Sequence, residues 1–335
     1  MRIELPTGAA MGVGSLPHRD AAAAVELVLT ATPALPAIPS LPQRSPLEGM
    51  LAQGAVGMPG VHVDEDGQLH LNPLGRDRLD PDRPVETDLD SEAFGGFRAF
   101  LAAARGREGP VKWQVTGPVT LGLALVRAGA EASRAFAAAT TAVRSRLSAL
   151  AAAVADAMPR APQLVVVDEP GLSGLSEPGF PLAADPAADL VSGALAVLEP
   201  HHVVGVHCCG PTDIGAVLAA GPAVLSVPAV PSLLASAGTL SAFLDSGGWV
   251  AWGAVPTGPL GTGGDRWWRA LADLWCELVR AGCDPVRLRR QALVSPACGL
   301  ALHTDEQAVQ VLDLTRQIAV KVRQQAAAAR FSVGA

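Results

Sequence analysis

The chain has 335 residues, 49% of them hydrophobic, enough material for a sizeable core in one large domain or two small ones. A balance of 25 Lys and Arg against 32 Asp and Glu leaves a net charge of −7, which argues against the basic stripe that nucleic-acid binding needs. Five cysteines, two of them adjacent at Cys208 and Cys209, suit a reducing compartment with metal or thiol chemistry better than a disulfide framework. No long apolar run precedes Ser15, so a secretory leader is not expected. The Ala-rich stretch 130–158 carries Glu131, Arg134, Arg144, Arg146 and Asp156 and reads as a packed helix, not a membrane span. A cytoplasmic protein is the expectation.

Short apolar runs alternate with helical stretches along the chain. In order, strands are expected at 10–14, 34–38, 111–115, 164–168, 202–207, 224–227, 249–253 and 292–295. Helical patterns occupy 21–29, 130–158, 184–198, 213–220, 232–245 and 266–281, and a last helix spans 304–329. Eight strands mostly followed by helices predict a single α/β domain over 1–335, a (β/α)8 TIM barrel. An open doubly wound sheet is the competing architecture. One segment breaks the rhythm: VHVDEDGQLHLNP at 61–73 alternates around a Glu65-Asp66-Gly67 turn and predicts a β-hairpin insertion. It reads as either a flap over the barrel mouth or a solvated insertion. The Asp-, Arg- and Pro-rich stretch from there to Gly96 reads as a surface excursion.

In such barrels the reacting groups collect at the C-terminal ends of the strands. Ser15 follows the first expected strand, Thr116 the third, and Asp168 with Glu169 close the fourth. His207 and Cys209 end the fifth, and Cys298 follows the eighth. Imidazole and thiolate are borderline-soft ligands that favour zinc, and three of them plus an open position describe a catalytic site. Strand-end histidines and cysteines also occur as ordinary core residues, so the spacing alone leaves both readings open. Cys208 alternates to the other face of its strand, and Cys276 and Cys283 read as packing residues.

Asp168 and Glu169 end an apolar run, where a carboxylate needs a partner: a substrate amine, another cation, a helix start or an arginine. Thr116-Gly117-Pro118 offers a hydroxyl beside a tight turn and a helix start. Gly12-x-Gly14 has Pro17 where a dinucleotide fingerprint needs its third glycine, and 258–264 lacks the Lys-Ser/Thr ending of a P-loop.

Several of these pieces fall into one known order: GVGSLPH at 12–18, QVTGPVT at 114–120, VVVDEPGL at 165–172, His207-x-Cys209, WGAVPTG at 252–258 and SPACGL at 295–300. Together they cover nearly the whole chain. The set resembles the catalytic C-terminal barrel of the cobalamin-independent methionine synthase family, and its compact single-barrel relatives in the uroporphyrinogen decarboxylase/methionine synthase superfamily. The resemblance implies a methyltransferase that binds Zn2+ through His207, Cys209 and Cys298 and methylates homocysteine or a related thiol, giving methionine if homocysteine. It places Asp168 on the substrate's amino group and Ser15 against the amino acid. Thr116 is expected beside them, Glu169 as a proton relay or support, and Glu48 as the nearest match for a second homocysteine-binding glutamate.

Two features depart from the family. Pro228 in AVLSVPAV stands where the family has a zinc-binding glutamate, and the chain has no room for the N-terminal barrel that helps bind folate. The expected methyl donor is methyltetrahydrofolate or a methyl-corrinoid, the latter on a partner protein. The alternatives are a corrinoid-protein methyltransferase acting on another thiol such as coenzyme M, and a catalytically idle barrel that binds zinc or a thiol. A porphyrinogen decarboxylase fits less well, because that metal-free chemistry leans on arginines and an aspartate at the barrel mouth.

Overall fold

The computed structural model describes residues 4–72, 79–258 and 264–332, with side chains to residue 328. The hairpin is present: β1 (Val61–Val63) pairs antiparallel with β2 (Leu69–Leu71), Val61 opposite Leu71. Pro73, the last residue of the expected hairpin, lies outside the described residues, as do 259–263 of the glycine-rich stretch. The main sheet holds β3 (Val111–Thr116), β4 (Gln163–Asp168), β5 (Val203–His207), β6 (Val224–Pro228), β7 (Trp249–Val255) and β8 (Ala292–Pro296). All pair in parallel and in chain order. Each crossover carries helix, from Pro118–Arg127 and Ala132–Ala157 after β3 to Asp265–Arg280 and Pro285–Arg290 after β7.

The expected eight-strand closed barrel is therefore corrected. The described residues form a six-strand parallel half-barrel sheet plus the small antiparallel pair. Segments 10–14 and 34–38 are not strands; each makes an isolated bridge, Ala10 to Val294 on β8 and Ala37 to Lys112 on β3, and Ser15 bridges Ser40. The reason lies in their residues. Pro33, Pro36 and Pro39 have no N–H to give a ladder, and Gly14, at φ +144°, leaves the extended region that a strand requires.

Helix ends follow local chemistry. Asp20, Glu131, Asp213 and Asp284 each accept backbone N–H groups at the helix they precede. The expected helix at 232–245 divides into a 3₁₀ turn, Pro231–Ser236, and the helix Ala237–Asp245. The stretch before Gly96 is not wholly a surface excursion, since Leu79, Val85, Ala93 and Phe94 are buried.

Because side chains alternate along a strand, the sheet has two apolar faces. The larger core packs Val165, Val167, Val204, Val206 and Trp252 against the crossover helices. A smaller cluster gathers Leu164, Val166, Val224, Ala251 and Leu293 with Leu5, Ala9, Met11 and Leu35 from the N-terminal segments. This second face continues upward along the strands into polar residues. Among the described residues, no helix is long and apolar enough to cross a membrane.

Candidate metal centre

The strand register sets the site. Thr116 on β3 pairs with Asp168 on β4, Asp168 with His207 on β5, and His207 with Ser226 on β6. Four polar residues thus form one row at the C-terminal ends of four adjacent strands. On β4 and β5 the polar residue ends a run of apolar or glycine positions on the inward face, whereas on β3 Thr116 follows Lys112 and Gln114, and the register sets all four at the same height.

His207 is buried, and its Nδ1 lies 2.9 Å from Ser226 Oγ, while Nε2 has no hydrogen-bond partner. With Ser226 engaging Nδ1, a bare Nε2 is what a metal ligand presents. Cys209, just past β5, and Cys298, just past β8, complete a cluster whose ligand atoms all lie within 4.8 Å of one another. These three residues could hold a metal ion.

The two thiols shift each other's ionisation in opposite directions. The Cys209 sulfhydryl, and then the nearby His207, hold Cys298 down to about 4. Cys209 is pushed up by the same Cys298 sulfur and by burial. One thiolate is thus favoured before any metal arrives, and a cation would complete the ionisation of the second. A residue at position 228 does not add to the cluster: Pro228 ends β6 with no ligand atom to offer.

Beside the cluster lies a cavity of about 250 Å3, bordered by Ser15, Gln53, Gln114, Thr116, Asp168, His207, Cys209 and Cys298, with Met50, Pro170 and Leu302 among its apolar walls. Six of the expected residues meet here from five separate stretches of chain. Asp168 Oδ1 is shut off from water and unpartnered. Loss of solvent raises the Asp168 carboxyl above its ordinary value; Lys112, then His207, pull it back, and Cys298 raises it. Thr116 Oγ1 donates to Met50 O at 2.5 Å. Ser15 is pinned at the wall: Leu300 N donates to its carbonyl at 2.9 Å, and a Cβ on Gly299 would lie 2.1 Å from its hydroxyl.

Two expected site residues lie elsewhere. Glu169 is fully buried but turned to the start of helix Pro118–Arg127, where its oxygens accept from Val119 N at 2.8 Å, Thr120 N at 2.7 Å and Thr120 Oγ1 at 2.6 Å. Burial lifts its carboxyl to about 7 against those bonds. Gly117 is required for this contact, because a Cβ there would sit 2.2 Å from the carboxyl of Glu169. Glu48 does not border the cavity. It accepts from Leu41 N, Gly96 N and Arg44 Nη1 at 2.9, 3.1 and 2.8 Å. Cys208 and Cys283 are buried, whereas Cys276, read as a packing residue, is exposed.

The sequence reading missed Gln53, Gln114 and Lys112. The last is buried one layer beneath the cavity, with Nζ donating to Val13 O and to Gln114 Oε1. A signal existed: Lys112, Gln114 and Thr116 alternate along one face of a strand in a doubly covered parallel sheet, where polar residues are unusual. A larger groove of about 1150 Å3 opens at the opposite strand ends beside His202, Trp249 and Gln291. Its described lining holds no metal-ligand cluster; the candidate metal centre borders the smaller cavity.

No protein-family model matches the chain, and no curated protein matches its sequence. The fold and the cluster define a parallel α/β protein with a candidate metal centre at its strand ends.

Proposed function

We propose that the chain is a zinc-dependent methyltransferase that transfers a methyl group to the thiol of homocysteine or a related thiol, giving methionine if homocysteine. The observation that carries this reading is the meeting of a His/Cys/Cys cluster with an unpartnered carboxylate, Asp168, at one small cavity. His207, Cys209 and Cys298 would hold the ion. Bound zinc with an open position would supply a Lewis acid that keeps a substrate thiol deprotonated at neutral pH.

The chain's own residues do the rest. Ser226 fixes the His207 ring so that Nε2 faces the cluster. Asp168 receives the substrate ammonium, which supplies the partner its Oδ1 lacks. Ser15 and Thr116 border the same space and set the orientation of the amino-acid end. The sulfur then attacks the donor's methyl carbon in line: the sulfur–carbon bond forms, the bond from methyl to donor breaks, and the donor keeps the electron pair. The thiol proton is released to solvent as the thiol enters the site, before attack. Methyltetrahydrofolate and a methyl-corrinoid are the donor classes to supply, the latter on a partner protein.

The test is the zinc content of protein purified without added metal, beside a Cys298→Ser variant, followed by methyl transfer to homocysteine from either donor. About one zinc per chain, lost in the variant, is expected. Absence of zinc from both proteins after reconstitution under reducing conditions would overturn the proposal.

A further inference from the structure

Lys112 stands out among the buried groups that the proposed chemistry leaves unused. It is 1% exposed, on the inner face of β3, and one of two lysines in the chain. Burying an ammonium is costly, and an apolar side chain of similar volume would ordinarily pack there at less expense. What the cost secures is visible in its partners. Nζ donates to Val13 O, in the loop that carries Ser15, and to Gln114 Oε1 at 2.8 Å. Gln114 in turn donates Nε2 to Ile38 O at 3.3 Å, which fixes both ends of its amide. A Cβ on Gly14 would lie 2.1 Å from Gln114 Nε2, so the loop seats directly on that amide. Val13, Ser15 and Gln114 all border the cavity. Burial also lowers Lys112 to about 8, and the charge it keeps below that pH acts on Asp168.

We propose that Lys112 is a positioning residue, which ties Gln114 and the 12–15 loop into the wall that receives the amino-acid end of the thiol substrate. It touches no substrate itself. The inference rests on the function proposed above and adds the part of the chain that sets its substrate preference.

The experiment uses the full chain loaded with zinc, and measures Kd by calorimetry for homocysteine and for 2-mercaptoethanol, a thiol without the amino-acid end. Zinc content and thermal melting are recorded alongside. Lys112→Met and Gln114→Leu are each expected to weaken homocysteine binding about 10-fold, the effect of one lost buried hydrogen-bond link. Binding of 2-mercaptoethanol and zinc content should not move. The double variant should bind no worse than either single one, because the two residues act as one unit. Equal weakening of both thiols, or unchanged homocysteine affinity, would overturn the positioning role. If Lys112→Met does not fold, Gln114→Leu decides alone by the same criterion. A wild-type protein that binds both thiols equally would instead defeat the amino-thiol reading itself, and this inference with it.

Discussion

Replacing Asp168 by Asn tests the site most directly. The two side chains have nearly the same shape, and Asp168 is not one of the three clustered ligands, so metal binding should survive. Oδ1 has no hydrogen-bond partner inside the protein, so the change breaks no internal hydrogen bond at that atom; it also removes the charge that faces buried Lys112, so thermal melting is recorded alongside. A charge-assisted hydrogen bond to a desolvated ammonium, lost while the ammonium is still drawn into the cavity, costs about 2–4 kcal/mol, or roughly 30- to 1000-fold in affinity. Calorimetry with zinc-loaded protein should show homocysteine weakened by that factor and 2-mercaptoethanol unchanged. Homocysteine bound within about 3-fold of wild type would refute the ammonium-holding role, since less than 1 kcal/mol would then be at stake. Equal loss for both thiols would point to damage at the metal centre.

Glu169→Gln should leave methyl transfer per folded molecule intact. Burial raises Glu169 from 4.5 to about 7, so between those values the folded chain holds a proton that the unfolded chain has released, and stability falls as pH rises through that window. The ceiling is about 3 kcal/mol; urea titrations at pH 5 and 7.5 should show a flatter pH dependence in the variant, and lost turnover at full stability would make Glu169 catalytic after all. Ser226→Ala removes the partner of His207 Nδ1 and should weaken metal binding about 10- to 100-fold in chelator competition, with an unchanged affinity counting against the assigned ring orientation. Gly299→Ala drives a methyl against the Ser15 hydroxyl and should cost about 1–3 kcal/mol in thermal unfolding. Adding Ser15→Ala should restore most of that, and failure to do so would mean the strain lies elsewhere.

Much of the site was legible because its residues end apolar runs. His207, Cys209, Cys298, Asp168, Thr116 and Ser15 all fall at the close of a strand-like segment, and all six border the cavity. The barrel was over-read at its first two segments, where apolar composition suggested strands but proline and a left-handed glycine limit the pairing to single bridges. Glu169 and Glu48 misled for a common reason. A carboxylate near a strand end or a turn looks the same in sequence whether it faces a substrate or backbone N–H groups, and here both face backbone.

The amino-acid order by itself determined which strands end in polar groups, because alternation and burial are local properties of each segment. It also determined the ligand types, since chemistry travels with the residue. Only the tertiary structure decided that a histidine and two cysteines, the last of them 89 positions beyond its partner Cys209, converge within 4.8 Å. Only there does Lys112 become the support for a loop 99 residues away. The reason is register: parallel pairing sets the height of each strand end against its neighbours, and that height depends on contacts between segments that no single segment encodes.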